Sequence, residues 1–304
     1  MCDTAQKSGS DAAIIRIHKK EKAIAVSVDS SANYCKSHPI SGGKQIVCEN
    51  WRNLISVGAK PLAITNCLNF GNPENKEVMG EFVECLEGIK EACEFLNYPV
   101  VSGNVSFYNG TNQKNIFPTP VIGGVGLINK LIKPIGHNFK KDKSIVLLIG
   151  KTFGHLEQSC FLKEIYSITD GVPPEVNLLN EKNNGENVLK LIQDNLVLSS
   201  HDVSNGGLII ALSEMTIGSK YGIKIQKPKK LTNLSQYFFG EDQGRYILEI
   251  DENNLIKVEQ ILNNGNIYYE NIGVTQKEYF EIEGEMKIKT KELVKVNNEW
   301  YNNF

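Results

Sequence analysis

Hydrophobic and polar positions in the first part of the chain repeat with two different periods. Apolar and small residues alternate over residues 22–30, which is typical of a β-strand. Between residues 43 and 57 the apolar positions share one helical face, and Gly58 is suited to end that helix. Apolar residues over 77–96 keep a helical period and predict a second, longer helix. The glycine-rich segment TPVIGGVGLI then predicts a closing strand that allows close approach of backbone or ligand.

A second unit is predicted after a connector over residues 133–143, which contains Pro134, Gly136 and several lysines. The apolar run SIVLLIGK that follows predicts a fully buried strand. Further helices are predicted over 155–166, 186–194 and 254–262, with strands between them. Since strands and helices alternate throughout, we predict an α/β or α+β fold with two domains, residues 1–143 and 144–304.

Composition narrows the classes of function. The chain has 304 residues, of which 41% are hydrophobic, so it can bury large cores. A formal net charge of −2 without an arginine-rich stretch argues against nucleic acid as a partner. No apolar run has the length of a membrane span, and no signal-peptide pattern is present, so no membrane association is expected. Seven cysteines without a C-x-x-C pair favour free thiols and a cytoplasmic location.

Three polar segments follow predicted strands and are candidate ligand-binding loops. They cover residues 66–73, 102–111 and 200–207, and α/β folds bind ligands in loops of this kind. In the third, Gly206 and Gly207 precede an apolar helix whose free N-terminal amides favour an anion. The same pattern also describes ordinary turns, and neither a Walker-type nor a dinucleotide-binding motif is present.

The ionisable residues of these segments leave two interpretations open. His201 and Asp202 either perform base or metal chemistry, or they pack the loop and cap the following helix. The other histidines are scattered, and no pair has the spacing of zinc ligands. Asp29, Glu241 and Asp242 lie beside glycine or at strand ends, where carboxylates combined with amide side chains favour magnesium over softer metals.

Five longer motifs, in order, extend the interpretation beyond general chemistry. They are GGKQIVCENWRNLISVGAKPLAITNCLNFGNPE, PVVSGNVSFYN, PTPVIGGVG, HDVSNGGL and GEDQGRY. Together they resemble the synthetase subunit of the phosphoribosylformylglycinamidine synthases, from about Asp11 to Tyr246. The wider family includes aminoimidazole ribonucleotide synthetase, selenophosphate synthetase and thiamine-monophosphate kinase. The resemblance implies an α/β N-terminal and an α/β C-terminal domain.

The resemblance also implies roles for individual residues. Gly103 would contact ATP, Asn104 would ligate Mg²⁺, and Ser106 would contact the substrate formylglycinamide ribonucleotide. The chemistry agrees, because glycine admits phosphate close to the backbone and an amide oxygen suits a hard cation. Asn66 matches an ATP-contacting position that is commonly aspartate. Asparagine has nearly the same side-chain shape as aspartate but lacks its charge.

Asp202 and Glu241 match, by internal pseudosymmetry of the family, metal and substrate positions of the first half. In the second half they would belong to an auxiliary nucleotide site with a structural role. No catalytic residue is assigned in this chain by the resemblance.

The family's synthetase subunit is a tandem duplication, and this chain resembles its second half. The catalytic histidine, the ATP-binding lysine and most magnesium carboxylates lie in the first half, so the isolated chain is expected to be inactive. The implied reaction is ATP-dependent amidation, in which the substrate amide oxygen attacks the γ-phosphate and ammonia then displaces phosphate. The implied partners are the N-terminal half, a glutaminase subunit that supplies ammonia, and a small bridging subunit.

Two other interpretations remain open. The chain could be a non-catalytic, nucleotide-binding scaffold, although the intact SGNVS segment argues for a ligand. It could also be a homodimeric, kinase-like relative such as a selenophosphate synthetase, although LNFGNP and GEDQGRY favour the ligase.

Overall fold

The computed structural model describes residues 4–6, 9–112, 114–228 and 233–302. The first unit contains β1 (Ala13–Ile17), β2 (Lys22–Asp29), β3 (Lys60–Asn69), β4 (Val100–Ser106) and β7 (Thr119–Ile128), with a small separate hairpin of β5 (Gly110–Thr111) and β6 (Lys114–Asn115). Its five-stranded sheet has the order β1-β2-β7-β3-β4. Within this sheet β3 and β4 run parallel, the other described pairs run antiparallel, and β4 forms one edge.

Two long helices cover one face of this sheet. After the short α1 (Ala32–Ser37) come α2 (Pro39–Ser56) and α3 (Lys76–Leu96). Pro39 suits the first position of α2, where its missing N–H is not needed, and Asn75 caps α3 by accepting a hydrogen bond from the amide of Glu77 at 2.9 Å. The opposite face of the sheet carries exposed apolar side chains, and we call it the open face: Ile15, Ile24, Val28 and Val125.

The second unit is built on a seven-stranded sheet with the order β14-β13-β10-β12-β8-β11-β9. Its strands are β8 (Ile145–Ile149), β9 (Val197–Val203), β10 (Gly222–Ile225), β11 (Arg245–Ile250), β12 (Tyr269–Gln276), β13 (Tyr279–Ile282) and β14 (Met286–Lys289). The apolar β8 lies between β12 and β11, as its uninterrupted hydrophobic run predicts. The helices are α4 (Cys160–Tyr166), α5 (Leu178–Gln193), α6 (Gly207–Ile217), α7 (Leu234–Phe239), α8 (Leu255–Asn264) and α9 (Thr290–Asn302).

The two units share a hydrophobic core, because α2 is buried on nearly all sides. One face of α2 packs on the first sheet, and another packs against α5 and β9 of the second unit. The contact with α5 is close enough that a methyl group on Gly185 would overlap the ring of Trp51. One continuous cluster of buried apolar residues therefore includes members of both units, such as Leu54, Ile55, Leu147, Val188 and Leu191.

The predicted fold class of two mixed helix-and-strand units is confirmed, and several boundaries differ. The helix predicted from residue 155 begins only at Cys160, because Asp242 holds the amides of Phe153, Gly154 and His155 in a loop. Helix α5 begins at Leu178, well before residue 186, because Asn177 caps it. The domain limits 1–143 and 144–304 stay a prediction, and the two sheets are separated by residues 129–144. Within the described residues, no helix is both long and apolar enough to cross a bilayer.

Helices α2 and α3 are in close contact at Gly88, so we expect the protein's stability to depend on this glycine. A methyl group on Gly88 would overlap the carbonyl oxygen of Ile40, whereas Gly80 in the same helix faces open space. We expect Gly88→Ala to lower the free energy of unfolding by about 1–3 kcal/mol through overpacking. Gly80→Ala should instead raise it by up to about 1 kcal/mol, because alanine favours the helix. Urea unfolding of both variants checks this, and equal effects would contradict the proposed packing constraint.

Candidate functional site

Three predicted site residues lie in the edge strand β4 and not in a loop. Gly103, Asn104 and Ser106 continue the parallel pairing of β4 with β3, opposite Asn66, Cys67 and Asn69 respectively. The prediction of loops from residues 66 and 102 was therefore wrong, since both segments begin as strand. Ladder hydrogen bonds need only the backbone, and an edge strand with a solvated face tolerates polar side chains.

The third predicted loop is also shorter than expected. His201 and Asp202 lie inside β9, opposite Ile247 and Tyr246 of β11. Helix α6 begins at Gly207, and its N-cap, Gly206, has no side-chain cap. Asp202 therefore does not cap this helix, and both side chains are buried within the second unit.

Strand geometry divides the β3–β4 residues between the two faces of the first sheet. Side chains alternate along a strand, and paired residues share a face. Asn66 and Gly103 share the face of the buried Ile64 and Leu68, which is covered by helices. Asn104 and Ser106 lie on the opposite side, the open face. The four predicted residues thus lie at one edge of the sheet, with Asn66 and Gly103 on the covered face and Asn104 and Ser106 on the open face.

Asn66 and Gly103 are in direct contact, because a methyl group on Gly103 would overlap the amide oxygen of Asn66. Glycine at this position is required by the side chain on the neighbouring strand. Asn66 also lines a cavity of about 610 Å³ between α3 and the sheet edge, together with apolar side chains that include Leu86, Ile89 and Val100. This mostly apolar lining suits a ring or hydrocarbon group better than a phosphate.

Asn104 fits the role of a neutral oxygen ligand. Its side chain is exposed, and no side chain among the described residues hydrogen-bonds to it, so its oxygen is available to an external cation. Magnesium needs several oxygen ligands, and Asn104 offers one, so carboxylates, waters or phosphates from elsewhere must complete the shell. Ser106 is half-buried, and its hydroxyl lies 3.1 Å from the Asn109 side-chain nitrogen, which also donates to the carbonyl of Phe70.

Glu241 and Asp242 are occupied by contacts within the chain. Glu241 accepts hydrogen bonds from the amides of Gly206 and Cys160 at 2.7 Å each, and from the Tyr34 hydroxyl at 2.6 Å. Asp242 accepts three backbone amides from residues 153–155. The GEDQGRY motif thus fixes two loops and reaches α1. These carboxylates fit a structural role better than that of open metal ligands, and the auxiliary-site role of Glu241 stays a prediction.

Asp202 is placed differently, because one of its carboxylate oxygens is buried without a hydrogen-bond partner. That oxygen, Oδ2, lies 3.6 Å from Nε of Arg52. Burial and the negative charge of Asp11 raise the pKa of Asp202 to about 7, and Arg52 and His201 oppose this shift. Because this oxygen faces the Arg52 guanidinium, Asp202 acts as its counterion in the folded chain, and the auxiliary-site role of Asp202 stays a prediction.

A buried ionic cluster between the units was missed in the sequence. Arg52 of α2 donates to Glu181 of α5 at 2.6 Å and to the side chain of Gln243 at 3.0 Å. Glu49, one turn earlier on α2, is partly buried near the same groups. In the sequence, the polar residues of α2 are typical of a solvent-exposed helix face, which is why the cluster was missed. The available signal for it was the position of Glu49 and Arg52 on either side of Trp51, which the structure buries.

Comparison with known proteins identifies the family. The domain model described as AIR synthase related protein, N-terminal domain, matches residues 9–128, and its C-terminal counterpart matches residues 143–283. The chain therefore belongs to the AIR synthase related proteins. Over 304 residues it is 53% identical to the phosphoribosylformylglycinamidine synthase subunit PurL of Pelagibacter ubique (strain HTCC1062), covering 100% of this chain and 42% of that protein. The resemblance recognised in the motifs is confirmed.

A second relative matches over a similar part of its length, and a solved structure has the same fold. The PurL subunit of Rhodopseudomonas palustris (strain BisB5) is 43% identical over 298 residues, which cover 98% of this chain and 40% of that protein. The chain thus spans well under half the length of these relatives. The structure of T. maritima PurL complexed with ATP matches 96% of this chain and 47% of its own, with a TM-score of 0.76 and 14% identity. At that identity the match shows a shared fold.

The environment of Glu49 yields a pH prediction. Burial and the charge of Asp29 raise the pKa of Glu49 to about 8 in the folded chain, from 4.5, with Arg52 opposing the shift. The folded state therefore holds more protons between these pH values, and its stability decreases as pH rises through them. We expect Glu49→Gln to flatten this decrease and to be more stable than the parent at pH 9, by about 1–3 kcal/mol.

Urea unfolding at several pH values measures this effect. Glu84→Gln, on the exposed side of α3, is the matched control and should leave the parent's pH dependence unchanged. Parallel curves for Glu49→Gln and the parent would contradict the raised pKa.

Proposed function

We propose that the chain is the C-terminal half of the synthetase subunit of phosphoribosylformylglycinamidine synthase. The observation that carries this proposal is the 53% identity over every residue to a PurL subunit, of which the chain spans 42%. The activity would be ligase chemistry in purine biosynthesis, the ATP-dependent amidation of formylglycinamide ribonucleotide, in the cytoplasm. Structures of T. maritima PurL complexed with ATP and with FGAR support the two ligands.

The open face supports a requirement for the N-terminal half. Asn104 and Ser106 lie on the same side of the first sheet as the exposed Ile24, Val28 and Val125. A second unit of the same family that covered this apolar surface would bring its own side chains next to Asn104. Such pairing explains how a strand with one neutral oxygen ligand contributes to a magnesium–nucleotide site without its own carboxylates.

In the assembled site, the chain's residues would mainly position ligands. The Asn104 amide oxygen would complete the coordination of Mg²⁺, and Gly103, whose missing side chain accommodates the Asn66 amide, would contact ATP through its backbone. The Ser106 hydroxyl would hydrogen-bond to the ribonucleotide. A glutaminase subunit would supply ammonia, a small bridging subunit would be a further partner, and this chain alone would not turn over. Phosphoryl-transfer chemistry depends mostly on such positioning and charge neutralisation.

A second candidate function, a nucleotide-binding scaffold, is favoured by the saturated hydrogen bonding of Glu241 and Asp242. If those carboxylates only fix loops, the second unit contributes stability and a docking surface without chemistry. The two functions differ in whether residues of β4 affect turnover.

Complementation with the N-terminal half separates these functions. Neither half alone should release phosphate in an ammonia-dependent assay, and the mixture should restore turnover. Asn104→Ala should lower the restored rate by roughly ten- to a thousandfold, the range for losing one preorganised electrostatic contact. Asn298→Ala, an exposed position on α9, is the control and should leave the rate unchanged. Full activity of this chain alone would disprove the half-enzyme function, and an inactive but associated pair would favour the scaffold.

Nucleotide-binding measurements on this chain test whether the nucleotide is held at β4 or in the auxiliary site. We expect calorimetry with ADP or ATP and Mg²⁺ to show weak binding, because the shared site is incomplete. Binding that is lost in Asp202→Asn and kept in Asn104→Ala would place the nucleotide in the auxiliary site, and the reverse result would place it at β4. Melting curves of both variants without nucleotide show whether each is folded. No heat and no change in melting temperature at millimolar nucleotide would contradict binding altogether.

A further inference from the structure

Three side chains that are distant in sequence converge where the N-terminal segment, the connector and β9 meet. Asp11 lies just before β1, His137 lies in the connector between the sheets, and His201 lies in β9. One ligand atom from each residue lies within 4.8 Å of those from the other two. Oδ1 of Asp11 is 2.7 Å from Nδ1 of His201 and 3.6 Å from Nδ1 of His137.

These side chains are largely withdrawn from solvent. The Asp11 side chain is 3% exposed, that of His201 is 10% exposed and that of His137 is 13% exposed. Oδ1 of Asp11 forms ion-pair contacts with the Nδ1 atoms of both histidines, whereas its Oδ2 is buried without a hydrogen-bond partner among the described residues. An unpartnered buried carboxylate oxygen is uncommon in native proteins, and one beside two imidazoles indicates a place for a cation.

On the side of its ring that faces away from Asp11, His201 has the kind of hydrogen-bond partner that metal-binding histidines usually have. Nε2 of His201 lies 3.1 Å from the carboxylate of Glu214 on α6. With Nε2 donating its proton to Glu214, release of the proton that Nδ1 shares with Asp11 would free the Nδ1 lone pair for a metal ion. A carboxylate on the remote nitrogen is the common arrangement for a histidine that ligates a metal, because it fixes the tautomer and ring orientation.

We propose that Asp11, His137 and His201 form a binding site for one zinc ion. Two imidazole nitrogens and one carboxylate are a typical zinc donor set, whereas magnesium and calcium prefer oxygen ligands. Ligands at tetrahedral zinc lie roughly 3.3 Å apart, given bond lengths of about 2.0–2.1 Å. The observed separations of 2.7 and 3.6 Å, and the third of at most 4.8 Å, come into this range with shifts of up to about 1.5 Å. This site is separate from the proposed ATP chemistry at β4, while Asp202 of the predicted auxiliary site lies 3.8 Å from Nδ1 of His201. The zinc ion would tie the N-terminal segment and the connector to the second sheet.

The test uses the 304-residue chain and zinc itself. Dialysis against buffered zinc followed by elemental analysis should show about one tightly held zinc per chain. Substitution with cobalt should give a visible spectrum of tetrahedral cobalt without the intense near-ultraviolet band of thiolate ligation, because no cysteine belongs to the cluster. Zinc should also raise the melting temperature, since it binds only the folded arrangement.

Variants separate this site from adventitious binding. His137→Gln should weaken zinc binding by at least roughly tenfold, and Glu214→Gln by about ten- to a hundredfold through loss of the support on His201. His155→Gln is the matched control, because its ring lies outside the cluster and hydrogen-bonds to the carbonyl of Val172 at 2.8 Å, and it should bind zinc like the parent.

Melting curves without metal show whether each variant is folded. A folded His137→Gln chain that loses zinc binding and its zinc-dependent melting shift supports the site. No bound zinc in the parent, equal binding in His137→Gln, or a thiolate band in the cobalt spectrum would each overturn it. None of these outcomes depends on ATP chemistry, so failure of the proposed ligase function would leave the test intact.

Discussion

The buried guanidinium of Arg52 connects the two units and determines how α2 is placed between them. Arg52 is fully buried, and it pairs with Glu181 at 2.6 Å while lying 3.6 Å from Asp202. Burial disfavours the charge, but these two carboxylates keep the pKa of Arg52 raised. Loss of one partner would leave a buried charge at a cost of about 3–5 kcal/mol. Trp51 and Glu49 depend on this placement, because they occupy the neighbouring positions of the same helix.

The first sheet combines a rigid, covered face with an open one, and the proposed function depends on that difference. Helix α2 packs on one face of the sheet and α3 packs against α2, so the side chains of β3 and β4 on the other face are left uncovered. The open face carries Asn104 on its edge strand β4 and exposed aliphatic residues on other strands, such as Val28 on β2, which is 67% exposed. An exposed apolar surface on the same face as a free polar ligand is typical of an interface at which a site is completed by a second protein.

The sequence predicted the helices and strands with strong periodicity and failed where polar residues continue a strand. Helix α3 and the buried β8 follow directly from apolar spacing. Asn66, Gly103 and Ser106 appeared to lie in loops, because the backbone pairing that keeps them in β3 and β4 has no side-chain signal. Asn66 and Gly103 could be recognised by motif, but their direct contact required the strand register. The convergence of Asp11, His137 and His201 was equally hidden, since only tertiary structure brings three separate segments together.

The packing of α2 between the two sheets affects how this chain can fold and where its gene could be divided. A helix whose sides are shared between two sheets cannot reach its final packing while either sheet is missing. The first unit therefore reaches its final packing only after α5 and β9 have been synthesised, and we expect the two family domains to unfold together. A gene break between them would separate parts of a single core.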